Sequence, residues 1–153
     1  MKKQDYHVSI SVKATAAEVF KSINNVSKWW SEDLEGNSQK QDDEFTVRFG
    51  ETSITVQLVE LIPYRKIGWY VTDCYKHWLK DKKEWKGTKM VWEILSGGDM
   101  TQINFTHIGL VPGLECYGGC EKAWDFYIKD SLFKLLTEGK GKPELKVKQK
   151  LSA

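Results

Sequence analysis

The chain has 153 residues, 41% of them apolar and 29% charged, with a formal charge of +2. That length suits one domain able to bury roughly two-thirds of its unfolded surface, so no disulfide or metal staple is needed to build a core. After Thr137 five lysines stand against two glutamates, leaving the preceding body at −1; this excludes the basic stripe of a nucleic-acid binder, and no run reaches the ~18 apolar residues of a membrane span.

The start, MKKQDYHVSISV, alternates polar and apolar residues after two lysines and has no apolar h-region, so no secretory signal is expected. With an odd number of cysteines, three, this favours reduced thiols and a cytoplasmic location. Val8, Ile10 and Val12 read as a half-buried strand. Thr15 precedes AAEVFKSI with Glu18 three residues on, a capping-box spacing that starts a short helix. A second short helix is expected over Val26 to Trp30, and the polar run SEDLEGNSQKQDDE reads as a loop. Four alternating segments follow, centred on Phe45–Phe49, Ile54–Leu58, Ile67–Val71 and Met90–Ile94. FGET and SGGDM read as hairpin connections. Between Asp73 and Thr88 the run CYKHWLKDKKEWKG is a long loop, a length often used for function. The last strand, TQINFTHIGL, sets Ile103, Phe105 and His107 on one face. Gly118 and Gly119 then precede the longest helical pattern, with Trp124, Ile128, Leu132 and Leu135 on one face and Gly139 closing it. A curved antiparallel sheet needs a cover for its apolar face, and this helix is the element able to supply it.

The element order, with VTDC…KDKKEWKGTKMVWEI, FTHIGLVPGLECYGGCEKAW and SLFKLLTEGKGKP, resembles bacterial single-domain START-like proteins of the SRPBCC superfamily. Within it, the chain is most similar to the branch named after the activator of the heat-shock-protein-90 ATPase. The resemblance runs from about Tyr6 to Pro143. It implies an α+β helix-grip fold, in which a curved antiparallel β-sheet wraps a long C-terminal helix around a hydrophobic cavity, with two short helices after the first strand. A single domain over 1–143 and a basic, flexible tail over 144–153 are the corresponding boundaries. Activators resembling this chain usually carry a further N-terminal domain, for which the sequence has no room. Fold alone assigns no function, so the site is argued from particular residues.

The aromatic set is the strongest signal. Trp69, Trp92, Phe105 and His107 on inward strand positions, with Trp124, Tyr127 and Ser131 on the helix, outline a wall that binds a small hydrophobic or aromatic molecule. Plain core packing explains the same pattern. Trp78 and Trp85 in the long loop, with Trp29 and Trp30 opposite, are the candidate lid. No catalytic residue, metal or cofactor is assigned, and the oligomeric state is not readable. Other readings stay open. Cys116 and Cys120 with His107, Cys74 and His77 have zinc-ligand chemistry. Cys120 at the helix start, or His107 with Glu84, Glu115 or Asp73, would serve a hydrolase or cyclase. A chaperone-interacting or regulatory module would instead show an exposed apolar patch over a closed core.

Overall fold

In the computed structural model, which describes residues 4–145, the alternating segments pair into one antiparallel sheet. Among the described residues its strands are Tyr6–Val12 (β1), Leu34–Gly36 (β2), Glu44–Phe49 (β3), Thr52–Ile62 (β4), Lys66–Tyr75 (β5), Lys89–Gly97 (β6) and Met100–Ile108 (β7). Their spatial order is β1-β7-β6-β5-β4-β3-β2. Neighbours in sequence are thus neighbours in space, except that β1 returns to pair with β7, Val8 facing Phe105. The short β2 lies inside the polar run expected to be a loop. It forms because backbone pairing with Val47 and Phe45 needs no apolar alternation at a sheet edge.

The first helix, Ala16–Asn24 (α1), starts at the expected capping box. The Thr15 hydroxyl accepts from Glu18 N–H at 3.0 Å, and the Glu18 carboxylate accepts from Thr15 N–H at 2.8 Å. The second short helix is a single 3₁₀ turn, Val26–Lys28. The C-terminal helix is Tyr117–Asp125 (α2), a π-helical stretch Phe126–Leu132, and Phe133–Glu138 (α3), running on as one helix of 22 residues. This is the helix-grip arrangement expected.

Cys120, Trp124, Ile128 and Leu132 are the helix's buried apolar face, each four residues from the next. In an ideal α-helix such positions drift around the axis by roughly 40° per step. The wider π turn takes up that drift and keeps the row against the sheet. The row packs on the sheet's inner residues, among them Val56, Leu58, Trp69, Trp92, Ile103 and Phe105, all buried.

Two irregularities in the β4–β5 ladder set what lies under the helix. Leu58 faces Trp69 while Glu60 faces Gly68, and Val56 faces Val71 while Thr55 faces Asp73. The second shift inserts Thr72 as an extra residue in β5. Such a bulge reverses which side chains point inward. Val71 is inward before it, and Cys74 after it.

The chain leaves the helix through Gly139, at φ 82°, and turns back across it. Gly141 passes so close to Ser131 and Lys28 that a Cβ there would fall 2.5 Å from the Lys28 carbonyl oxygen. Glu144 then pairs with the segment beside α1. Its N–H donates to Trp30 O at 2.9 Å, and its carbonyl accepts from Glu32 N–H at 2.8 Å. Glu144 is therefore part of the fold and not of a free tail. Positions 146–153 of the expected tail lie outside the described residues.

Candidate ligand-binding cavity

A cavity of about 430 Å³ opens where the N-terminal half of the long helix diverges from the sheet. Three segments wall it. Phe49, Thr52 and Ile54 come from the β3–β4 hairpin; Gly119, Cys120, Ala123, Trp124 and Tyr127 from the helix; Lys76, His77, Trp78 and Trp85 from the loop after β5. Trp30 and Glu144, held together by the backbone pairing above, complete it.

The loop is not a loose flap. Lys76 N–H donates to Lys82 O at 2.8 Å, and Leu79 N–H to Lys76 O at 3.0 Å. Glu84 accepts from the backbone N–H groups of Glu115 at 3.1 Å and Cys116 at 3.3 Å, so it caps the helix start from the loop. Glu115 answers by accepting from Lys80 N–H at 2.9 Å. Loop and helix start are thereby one unit.

The rings form a continuous stack from mouth to core. Trp85 lies parallel to Trp124 at 6.0 Å, Trp124 on Trp30 at 5.1 Å, and Trp30 on Trp69 at 5.7 Å. Of the residues expected to bind a ligand, Trp124 and Tyr127 line the cavity. Trp69, Trp92 and Phe105 lie deeper, where Trp92 packs on Phe105 at 4.4 Å and on Trp69 at 5.5 Å. Of the candidate lid residues, Trp30, Trp78 and Trp85 line it. Trp29 lies beneath, fully buried, its indole N–H donating to Ile23 O at 3.1 Å. Ser131 was expected beside open space. It is fully buried, donates to Trp29 O at 2.7 Å and accepts from Lys142 N–H at 2.7 Å, because the returning chain fills that region.

His107 does not reach the cavity either. Trp124 Nε1–H donates to its Nδ1 at 3.1 Å, and Thr88 Oγ1 lies 2.9 Å from its Nε2. Since the Thr88 hydroxyl donates to Trp85 O at 2.7 Å, it accepts from His107, which fixes the Nε2–H tautomer. Both ring nitrogens are satisfied by protein. Burial, with the nearby Lys76 charge, pushes its pKa down to about 3, so the ring is neutral at ordinary pH.

None of Glu84, Glu115 and Asp73, the acids expected to serve His107 in a hydrolase or cyclase, is its partner; its partners are Thr88 and Trp124. Glu84 and Glu115 cap backbone, and Asp73 pairs with Lys83 at 2.7 Å. The cysteines correct the expectation of reduced thiols. Cys116 and Cys120 are joined as a disulfide across the first helical turn, with Cα atoms 5.6 Å apart, so Cys120 presents no thiolate to the cavity. Cys74 is free and buried, and burial raises its thiol pKa. Among the described residues no three His, Cys, Asp or Glu side chains come together as a metal site.

Besides Thr52, His77 and Glu144, two polar groups stand on the apolar wall. The Tyr127 hydroxyl, its pKa pushed up to about 12 by burial and by Glu144, is a neutral donor. Lys76, only 5% exposed, is the other. Sequence reading missed Lys76 because plain alternation along β5 continues to Asp73 and Tyr75, and the Thr72 bulge turns the even positions inward. Phe49 and Ile54 were read as ordinary strand residues and Thr52 as part of a hairpin connection, with no local signal to mark them.

No family model and no curated protein matches this chain. Solved structures do. The solution structure of the Aha1 dimer from Colwellia psychrerythraea is similar at a TM-score of 0.74 and 21% identity, over 92% of this chain and 100% of that one. DynU16, from the dynemicin biosynthetic locus, is similar at a TM-score of 0.67 and 15% identity, over 95% of this chain; the chain spans about half of DynU16, 52%. CalU16 from Micromonospora echinospora is similar at 0.59 and 16% identity, over 90% of this chain and 76% of that one. At these identities the likeness establishes the helix-grip fold. No described helix is long and apolar enough to cross a membrane.

Proposed function

We propose that this domain binds a small hydrophobic or aromatic molecule in the cavity between its sheet and C-terminal helix. The observation that carries the reading is the cavity's composition. Some 430 Å³ of space, a volume typical of small-molecule sites, is faced by Trp30, Trp78, Trp85, Trp124, Tyr127 and Phe49. Rings of this kind give a flat ligand large contact area with little side-chain entropy to lose. The reading asks for no chemistry from the protein. A packed interaction module fits less well, because its core would be closed where this one is open.

Ala123 offers the test, since it is exposed and borders the cavity. The neutral fluorophore N-phenyl-1-naphthylamine should bind the wild type with a rise in emission. Ala123→Trp should bind it at least about ten-fold more weakly, with the urea midpoint little changed, because the new indole enters space that is empty. Equal binding by the two proteins would place the ligand elsewhere.

A further inference from the structure

Lys76 is a cation without a counter-ion. The residue is 5% exposed, and among the described residues no carboxylate lies within 4.0 Å of its ammonium. The ammonium sits instead 3.9 Å from the centre of the Trp85 ring and 5.9 Å from that of Trp78. The acids in its neighbourhood do not pair with it. Both Glu84 oxygens accept backbone N–H groups and Asp73 holds Lys83, while Glu144, the carboxylate on the cavity wall, forms no ion pair with Lys76. Its backbone is pinned to Lys82 and Leu79, so the charge is held in place by the fold.

Indole faces attract an ammonium but replace only part of the hydration it gives up. A buried charge of this kind is stabilised when an opposite charge arrives. Lys76 lines the same cavity as the stacked rings of Trp85, Trp124 and Trp30. An anion placed there would have its remaining body against aromatic surface. We infer that the cavity takes an amphipathic organic acid, a flat or chain-like apolar body ending in a carboxylate or similar anion, with Lys76 as its counter-ion. This rests on the cavity being a ligand site, and it adds the sign of the ligand's charge and the residue that reads it.

A matched pair of probes separates the two statements. 8-Anilinonaphthalene-1-sulfonate carries the same ring system as N-phenyl-1-naphthylamine plus one negative charge. Both are titrated into the full-length chain, as wild type, Lys76→Met and, as a second neutral replacement, Lys76→Gln, with circular dichroism to check the fold. Wild type should bind the sulfonate, and either variant should lose roughly ten-fold or more of that affinity, while the neutral probe binds all three within about two-fold. Equal losses for both probes, or no loss for the sulfonate, would overturn the counter-ion role with the cavity reading intact. Failure of the wild type to bind either probe would instead remove the cavity reading and this inference with it.

Discussion

Lys76 also leaves a mark on stability that needs no ligand. Burial lowers its pKa from the ordinary 10.5 to about 8, a shift that Cys74 and Glu84 only partly oppose. Between those two values the unfolded chain holds more protons than the folded one, so this residue makes stability rise with pH across the window. Below pH 8 its unfavourable contribution is complete; above about 10.5 it is gone. Lys76→Met should therefore be more stable than wild type at pH 7, by up to about 3 kcal/mol, with the gap closing as pH approaches 10. Urea titrations of the two proteins at several pH values check this, and titrations common to both cancel in the difference. A methionine variant no more stable at pH 7 would mean that the two indole faces already compensate the charge fully. A group that destabilises the protein containing it is commonly retained for what it does.

The helix–loop unit shows how one element depends on another. Cys116, at the helix start, makes no side-chain cap, and the helix begins instead on Glu84 from the loop. Glu84→Ala should uncap it. Amide exchange at Glu115 and Cys116 should quicken about ten-fold or more, and stability should fall by about 1–2 kcal/mol. Unchanged exchange would show that the loop is held by other means. The same dependence explains what was legible in the sequence. The capping box at Thr15, the strand alternation and the row Trp124, Ile128, Leu132 are local patterns, and each was readable. The helix cap was not, because its partner is far away in the chain. Nor was the inward turn of Cys74 and Lys76, which depends on a bulge that alternation hides, or the pairing of Glu144 with Trp30 and Glu32. Among the candidate site residues, those on the helix and loop facing the mouth could be read. Strand positions such as Trp69 and His107 were inward as expected, yet inward here means core.

At the scale of the molecule, core and cavity share one aromatic cluster, so removing a ring that serves both should be felt globally. Trp124 touches Phe105 at 4.6 Å and Trp30 at 5.1 Å, and its N–H satisfies buried His107. Trp124→Ala should destabilise by about 3–5 kcal/mol, read from the urea midpoint; an unchanged midpoint would show that the cluster does not hold the helix to the sheet. The pairing of β1 with β7 has a consequence of another kind, in time and not in space. A ribosome delivers β1 first and its partner last among the strands. Until β7 is out, the nascent chain carries an edge strand with nothing to pair with, the condition under which chains associate with one another. The outward residues His7, Ser9 and Ser11, exposed in the finished sheet or nearly so, give the waiting strand one face that water can wet. On this argument their polarity has its use before the protein is folded, when the surface they will occupy does not yet exist.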